Sequence, residues 1–205
     1  MLAKPHAWSN LFGPGQFIGV GLPFLLIMAA GMSSFIASIT SASLMLIALA
    51  MALATELYFI FVWVFARGVR SQGRFSPTHV LNYVHASSPL LLVASIIFPI
   101  WILGLLFIRL FRPAHVETNL IIIVAGSTFL VNGIAAILME KTICRSRHFR
   151  SRSGLLKRLL TPSVIALGGG IFAIFTDIEL IIDDIGALMI MVWFMSSMRP
   201  EDLGV

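Results

Sequence analysis

Six uninterrupted apolar runs, each about as long as a bilayer's hydrocarbon core is thick, constrain this chain more than any other feature. They lie at about residues 17–39, 43–66, 90–108, 118–139, 155–175 and 181–198. A helix needs about 20 apolar residues to cross that core, whereas a membrane barrel shows short alternating strands. With 59% hydrophobic and 11% charged residues, the composition is unlike that of soluble or disordered chains. The sequence predicts an all-α integral membrane protein with six transmembrane helices. These form a single domain over 1–205, with a short N-terminal segment 1–16 and no soluble domain.

Basic residues predict how these helices are oriented. The linker between the second and third runs holds three of the 14 Lys and Arg residues, and the linker 141–154 with its flanks holds seven: Arg67, Arg70, Arg74, Lys141, Arg145, Arg147, Arg150, Arg152, Lys157 and Arg158. Loops rich in Lys and Arg stay in the cytoplasm, so both linkers and both termini are predicted to be cytoplasmic. Arg109 and Arg112 lie between the third and fourth runs, on the side that this topology places outside the cytoplasm. We expect them to snorkel from a helix end. The net charge of +5 then reflects the excess of Lys and Arg in cytoplasmic loops and not nucleic-acid binding. We expect the protein in a bacterial inner membrane or its equivalent.

Two polar residues lie deep inside predicted spans and are the transport candidates. Glu56 lies past the middle of the second run, and no Lys, Arg or His is evident at the same depth in another run. An ionisable group in a span is a functional-site hypothesis by default. Glu56 is therefore expected to be protonated, bound to a cation or hydrated. A neutral acid that bonds a neighbouring helix is the structural alternative. Asn132, in the middle of the fourth run, is either part of the same site or an interhelical hydrogen-bonding residue.

Four carboxylates lie close together around the start of the sixth run: Asp177, Glu179, Asp183 and Asp184. Such a cluster can attract cations to the outer mouth of a pathway. The simpler interpretation, which we favour, is that Asp183 and Asp184 cap the N-terminus of the sixth helix, where the helix dipole favours negative charge.

No constellation of residues indicates catalysis. The sequence has no phosphate-binding glycine loop, no nucleophile at motif spacing from a base, and no zinc-protease motif. The lone Cys144 can form neither an internal disulfide nor a thiolate cluster by itself. We expect neither an enzyme nor a bound cofactor. Small residues, including Ala48, Ala52 and the glycines 168–170, predict close helix approach.

The chain resembles the transmembrane domain of the cation diffusion facilitators. Six spans with both ends inside, a basic linker between the fourth and fifth spans and a serine-containing start to the second span carry the resemblance. The sequence is most similar to that family in four segments: Leu-Phe-Arg-Pro at 110–113, residues 131–136, the basic run 145–156, and Asp-Ile-Gly-Ala-Leu at 184–188. That family exports divalent cations in exchange for protons, so the resemblance implies a dimeric transporter.

The resemblance also implies where an ion site would lie. The family places a ligand pair on the second span and another on the fifth, each pair four residues apart. In this sequence the pairs fall at Ala52 and Glu56 and at Lys157 and Thr161, with a further acidic position at Leu49. Only Glu56 could act as a carboxylate ligand, so we expect no tight metal site there. We also expect no cytoplasmic metal-sensing domain after the sixth span.

Two functional hypotheses follow. The first is a divergent cation/proton transporter that uses Glu56. The second is a non-transporting accessory or scaffold subunit of a larger membrane complex. Partners under either hypothesis are the lipid bilayer and a second copy or another subunit.

Overall fold

A computed structural model describes residues 17–71, 96–143 and 152–197, and its secondary structure in those ranges is helical, without a strand. Six α-helices follow one another: α1 Leu22–Ser41, α2 Leu44–Ser71, α3 Ile96–Phe111, α4 Thr118–Ile143, α5 Arg152–Ile174 and α6 Glu179–Ser197. A π-helical turn, Phe17–Gly21, leads into α1. The all-α prediction is confirmed in these ranges, and each helix overlaps one apolar run. The predicted N-terminal segment 1–16, and residues 144–151 of the basic linker, lie outside the described ranges.

Three of these helices are long and apolar enough to cross a membrane. Their apolar segments are Gly19–Ser41, Thr118–Met139 and Leu156–Ile174. The apolar segments described in α2 and α3 are shorter, at Leu44–Tyr58 and Ile96–Phe111. An integral membrane protein is compatible with this pattern, and the count of six spans stays a prediction.

Five helices pack in a closed ring. α1 packs against α2 and α4, α5 packs against α4 and α6, and α6 returns to α2, while α2 also contacts α5 across the ring. α3 packs on α6, where the rings of Phe98 and Phe194 meet edge to face with centroids 5.2 Å apart. Three buried residues of α3, Phe98, Ile102 and Arg109, are spaced to share one helix face.

Three short connections gather at one end of the bundle, which we call the linker end: residues 42–43, 112–117 and 175–178. Ala42 has a left-handed backbone, with φ of 51°, and turns the chain from α1 into α2. The N–H of Glu117, just before α4, donates to the carbonyl of Ser41 at 3.3 Å. α2 and α4 end at the opposite end, where α5 begins, so the basic residues at 67–70 and 157–158 lie away from the linker end.

Small residues set how closely the helices approach. The side chain of Met45 lies against Gly169 of α5 and Gly186 of α6, and a Cβ at Gly186 would overlap the Met45 sulfur. A Cβ at Gly170 would come within 2.9 Å of Ile122 on α4. The predicted close approach is confirmed at Gly169 and Gly170 but is wrong for Gly168, whose Cβ position faces open space.

The outward faces of the bundle are lined with large apolar side chains. Examples lie on α1, α3, α4, α5 and α6: Met32, Ile39, Ile100, Leu110, Ile123, Leu130, Phe172, Val192 and Met195. Soluble monomers rarely expose apolar patches of this extent, whereas lipid covers them in a bilayer. The exterior therefore fits a membrane environment along most of its circumference.

Candidate functional site

Asp183 is the most densely hydrogen-bonded carboxylate in the described part of the chain. It is 1% exposed, on the second turn of α6. The backbone N–H groups of Leu44 and Met45 donate to its two oxygens at 2.7 and 3.2 Å, and the Ser43 hydroxyl donates to Oδ1. Ser43 also accepts from the N–H of Leu46 at 3.1 Å, as an N-cap residue does. Asp183 thus satisfies the free N–H groups at the start of α2 and the dipole charge there.

This arrangement corrects the capping prediction. Asp183 does cap a helix N-terminus, but that helix is α2 and not its own helix α6. Because α6 begins at Glu179, Asp183 and Asp184 already lie in its second turn. The sequence could not show this, since Asp183 and Leu44 are 139 residues apart in the chain.

Arg109 completes the cluster at the linker end. Its Nη1 donates to Asp183 Oδ2 at 2.7 Å and to Asp184 Oδ1 at 2.7 Å. The Arg109 side chain is only 8% exposed, so the prediction that it snorkels to the surface is wrong. One guanidinium and the N-terminus of α2 together face two carboxylates, and the charges are nearly balanced. Arg112 is exposed, as expected.

The four acidic residues do not act as one group. Asp177 is exposed in the connection between α5 and α6. Glu179 lines a separate cavity of about 360 Å³ together with His115, Glu117 and Thr118. The Thr118 hydroxyl is buried with no hydrogen-bond partner among the described residues. Within those residues, no three His, Cys, Asp or Glu side chains come close enough to hold a metal ion.

Glu56 is buried in α2, with 5% of its surface exposed. Arg158, on the second turn of α5, is near enough to Glu56 for its charge to act on the carboxyl group. The sequence places Arg158 on the flank of the basic linker and does not reveal which face of α5 it occupies. Its neighbour Lys157, at the position where the resemblance implies a ligand, is exposed instead.

The register between α2 and α5 brings residues 56 and 158 to a similar level. Met45 contacts Gly169, and the helices run in opposite directions, since α2 begins and α5 ends at the linker end. Eleven residues are close to three helical turns, so residue 56 lies three turns along α2 on the face of Met45. Residue 158 lies three turns back along α5 on the face of Gly169. Residues 56 and 158 therefore lie at a similar level along the two helices.

Asn132 joins α4 to α5. It is fully buried, and its Nδ2 donates to the carbonyl of Leu159 and to the hydroxyl of Ser163, both at 3.2 Å. These partners lie on either side of Pro162, the proline within α5. The predicted interhelical hydrogen bond is confirmed. Asn132 Oδ1 is buried with no partner among the described residues.

A second interhelical polar contact was not predicted. The hydroxyls of Ser34 on α1 and Thr128 on α4 lie 3.2 Å apart, and both side chains are buried. Serine and threonine are common in apolar helices and bond their own backbone, as Ser34 also does with Ala30, so the sequence carries no distinctive signal for this pair.

The polar groups of the described helices therefore connect helices to one another. They join α2, α3 and α6 at the linker end, α1 and α4 in mid-bundle, and α4 and α5 near Pro162. No protein-family model, curated protein or solved structure matches this sequence.

Proposed function

We propose that this protein is a non-transporting helical subunit of a larger membrane complex. The observation that carries the proposal is the engagement of Asp183 and Asp184 by Arg109 and by the start of α2. Two of the four outer carboxylates that were candidates to attract cations, Asp183 and Asp184, are held by groups of the same chain. A buried carboxylate with four donors within hydrogen-bond distance is suited to fixing helices in place, because moving it would leave charged groups without partners.

The wide apolar exterior supports the same proposal. Large apolar side chains cover the outward faces of five helices, and α3 presents a row with a notch at Gly104, formed by Ile97, Ile100, Trp101 and Ile108. A transmembrane partner packs on such a surface through van der Waals contacts, for which small residues are useful. In the membrane we place the linker end outside and the basic end in the cytoplasm, following the distribution of Arg and Lys.

A divergent cation/proton transporter is the second candidate. Two observations favour it: Glu56 is buried inside a helix bundle, and Asn132 Oδ1 has an unused acceptor among the described residues. Under this hypothesis Glu56 exchanges a proton for a cation, and the protein acts as a dimer. The enzyme hypothesis has no catalytic constellation in its favour.

Reconstitution into liposomes separates the two candidates. We expect no proton or cation flux above that of empty liposomes, for monovalent or divalent cations. Flux that disappears in Glu56→Gln, while the variant still folds, would establish the transporter instead. Purification in mild detergent at native expression levels provides the positive test. We expect another subunit at fixed stoichiometry, whereas a partner-free homodimer would contradict the subunit proposal.

A further inference from the structure

The cavity of about 360 Å³ lined by Glu117, Thr118 and Glu179, which we call the linker-end cavity, lies apart from the contacts that join the helices. Glu117 comes just before α4, and Glu179 is the first residue of α6. We propose that the linker-end cavity binds the primary ammonium group of a membrane lipid headgroup. This goes beyond the proposed subunit function and does not depend on it.

The first support is negative charge that the described residues do not neutralise. The ion pairs in the described ranges are those of Arg109, so neither Glu117 nor Glu179 has an ion-pair partner there. Asn119 and the neutral form of His115 add further hydrogen-bond acceptors to the lining. Two unpaired carboxylates at one cavity attract a positively charged group.

The second support is a hydroxyl group without a partner. Thr118 lines the cavity and is 7% exposed, and its hydroxyl makes no hydrogen bond to any described residue. Buried polar groups nearly always have a partner, so one is expected from outside these residues. A primary ammonium carries three N–H donors, and the two carboxylates and this hydroxyl offer three acceptors. A metal ion fits less well, because no three His, Cys, Asp or Glu side chains in the described ranges come close enough to hold one.

The position of the cavity favours a lipid over a soluble amine. Thr118 begins the apolar segment Thr118–Met139, and Ile174, which also lines the cavity, ends the apolar segment Leu156–Ile174. The cavity therefore lies where two candidate membrane spans end, at the level of the lipid headgroups. Apolar surface continues from it, since Ile174 is 53% exposed and Phe175 is 80% exposed. A lipid can place its headgroup in the cavity and its acyl chains along this surface.

Lipid retention by the full chain in mild detergent tests the assignment. Native mass spectrometry compares phosphatidylethanolamine with phosphatidylcholine of the same acyl chains, in which three methyl groups remove the N–H donors of the headgroup. We expect the parent to retain about tenfold more phosphatidylethanolamine, because hydrogen bonds to a charged group are lost with the donors. The double variant Glu117→Gln with Glu179→Gln should lose this preference. Thr118→Val should lower it about threefold. Asp177→Asn, the matched control, removes a nearby exposed acid that does not line the cavity and should keep the full preference.

Equal retention of the two lipids by the parent would overturn the proposal, and that comparison needs no variant to fold. A preference that survives in the double variant, or in Thr118→Val if the double variant does not fold, would place the headgroup elsewhere and overturn it too. Ethanolamine hydrochloride, added without lipid, distinguishes a free amine from a lipid. We expect millimolar concentrations to leave the melting temperature unchanged. Stabilisation by ethanolamine that is lost in Thr118→Val would assign the cavity to a free amine and overturn the lipid source.

Discussion

Arg109 Nη1 lies 2.7 Å from Asp183 and 2.7 Å from Asp184, so that one nitrogen on α3 bridges two consecutive carboxylates on α6. This bridge joins α3 to α6 and, through Asp183, to the start of α2. Arg109 and Arg112 lie at the linker end, which is predicted to face away from the cytoplasm and has few basic residues. Asp183 and Asp184 neutralise Arg109 inside the protein, whereas Arg112 is exposed.

Removing the guanidinium of Arg109 should be costly. Arg109→Gln leaves the buried Asp183 without its charged partner, and breaking a buried pair in this way costs about 3 kcal/mol. Chemical denaturation in detergent measures the loss. Arg112→Gln removes an equal charge from an exposed position three residues away and should change stability by less than about 0.5 kcal/mol. Equal effects of the two substitutions would mean that the bridge contributes nothing to stability.

The hydrogen bond between Asn132 and Ser163 should be measurable as a coupling. A double-mutant cycle of Asn132→Ala and Ser163→Ala should give a coupling free energy of about 0.6 kcal/mol, the average found for hydrogen bonds between membrane helices. Ser127→Ala is the control, because the exposed Ser127 hydroxyl bonds only its own helix, at the carbonyl of Val124. Its coupling with Ser163→Ala should be zero within error. A coupling of zero for Asn132 and Ser163 as well would contradict the contact.

Two glycines should respond oppositely to the same substitution. Gly186→Ala introduces a Cβ where the Met45 sulfur lies, and overpacking of this kind costs about 1–3 kcal/mol. Gly168→Ala meets no atom within 4 Å and should be neutral or stabilising, because alanine favours the helix by about 1 kcal/mol. Thermal unfolding of both variants checks this. The Met45→Ala background should reduce the penalty at Gly186, and an undiminished penalty would locate the clash elsewhere.

Membrane orientation can be tested with topology reporters. A reporter inserted after Ala114, in the connection between α3 and α4, should read as extracytoplasmic, and one fused after Val205 should read as cytoplasmic. The reason is the concentration of arginine and lysine at the opposite end of the bundle from residues 112–117. A cytoplasmic reading after Ala114, or an extracytoplasmic reading after Val205, would refute the predicted six-span topology.

The helices themselves were evident from the sequence, because the requirement for about 20 apolar residues acts on neighbouring positions along the chain. Each run overlaps a helix of the described ranges. Asn132 was recognisable as a bridging residue because a lone amide in an apolar helix needs a partner on another helix. The partners of the charged residues could not be predicted in the same way. Asp183 meets Leu44 across 139 residues and Arg109 across 74. Helical periodicity places a side chain on a face of its own helix, but only the packing of glycine, alanine and methionine between helices decides which faces meet and at what level.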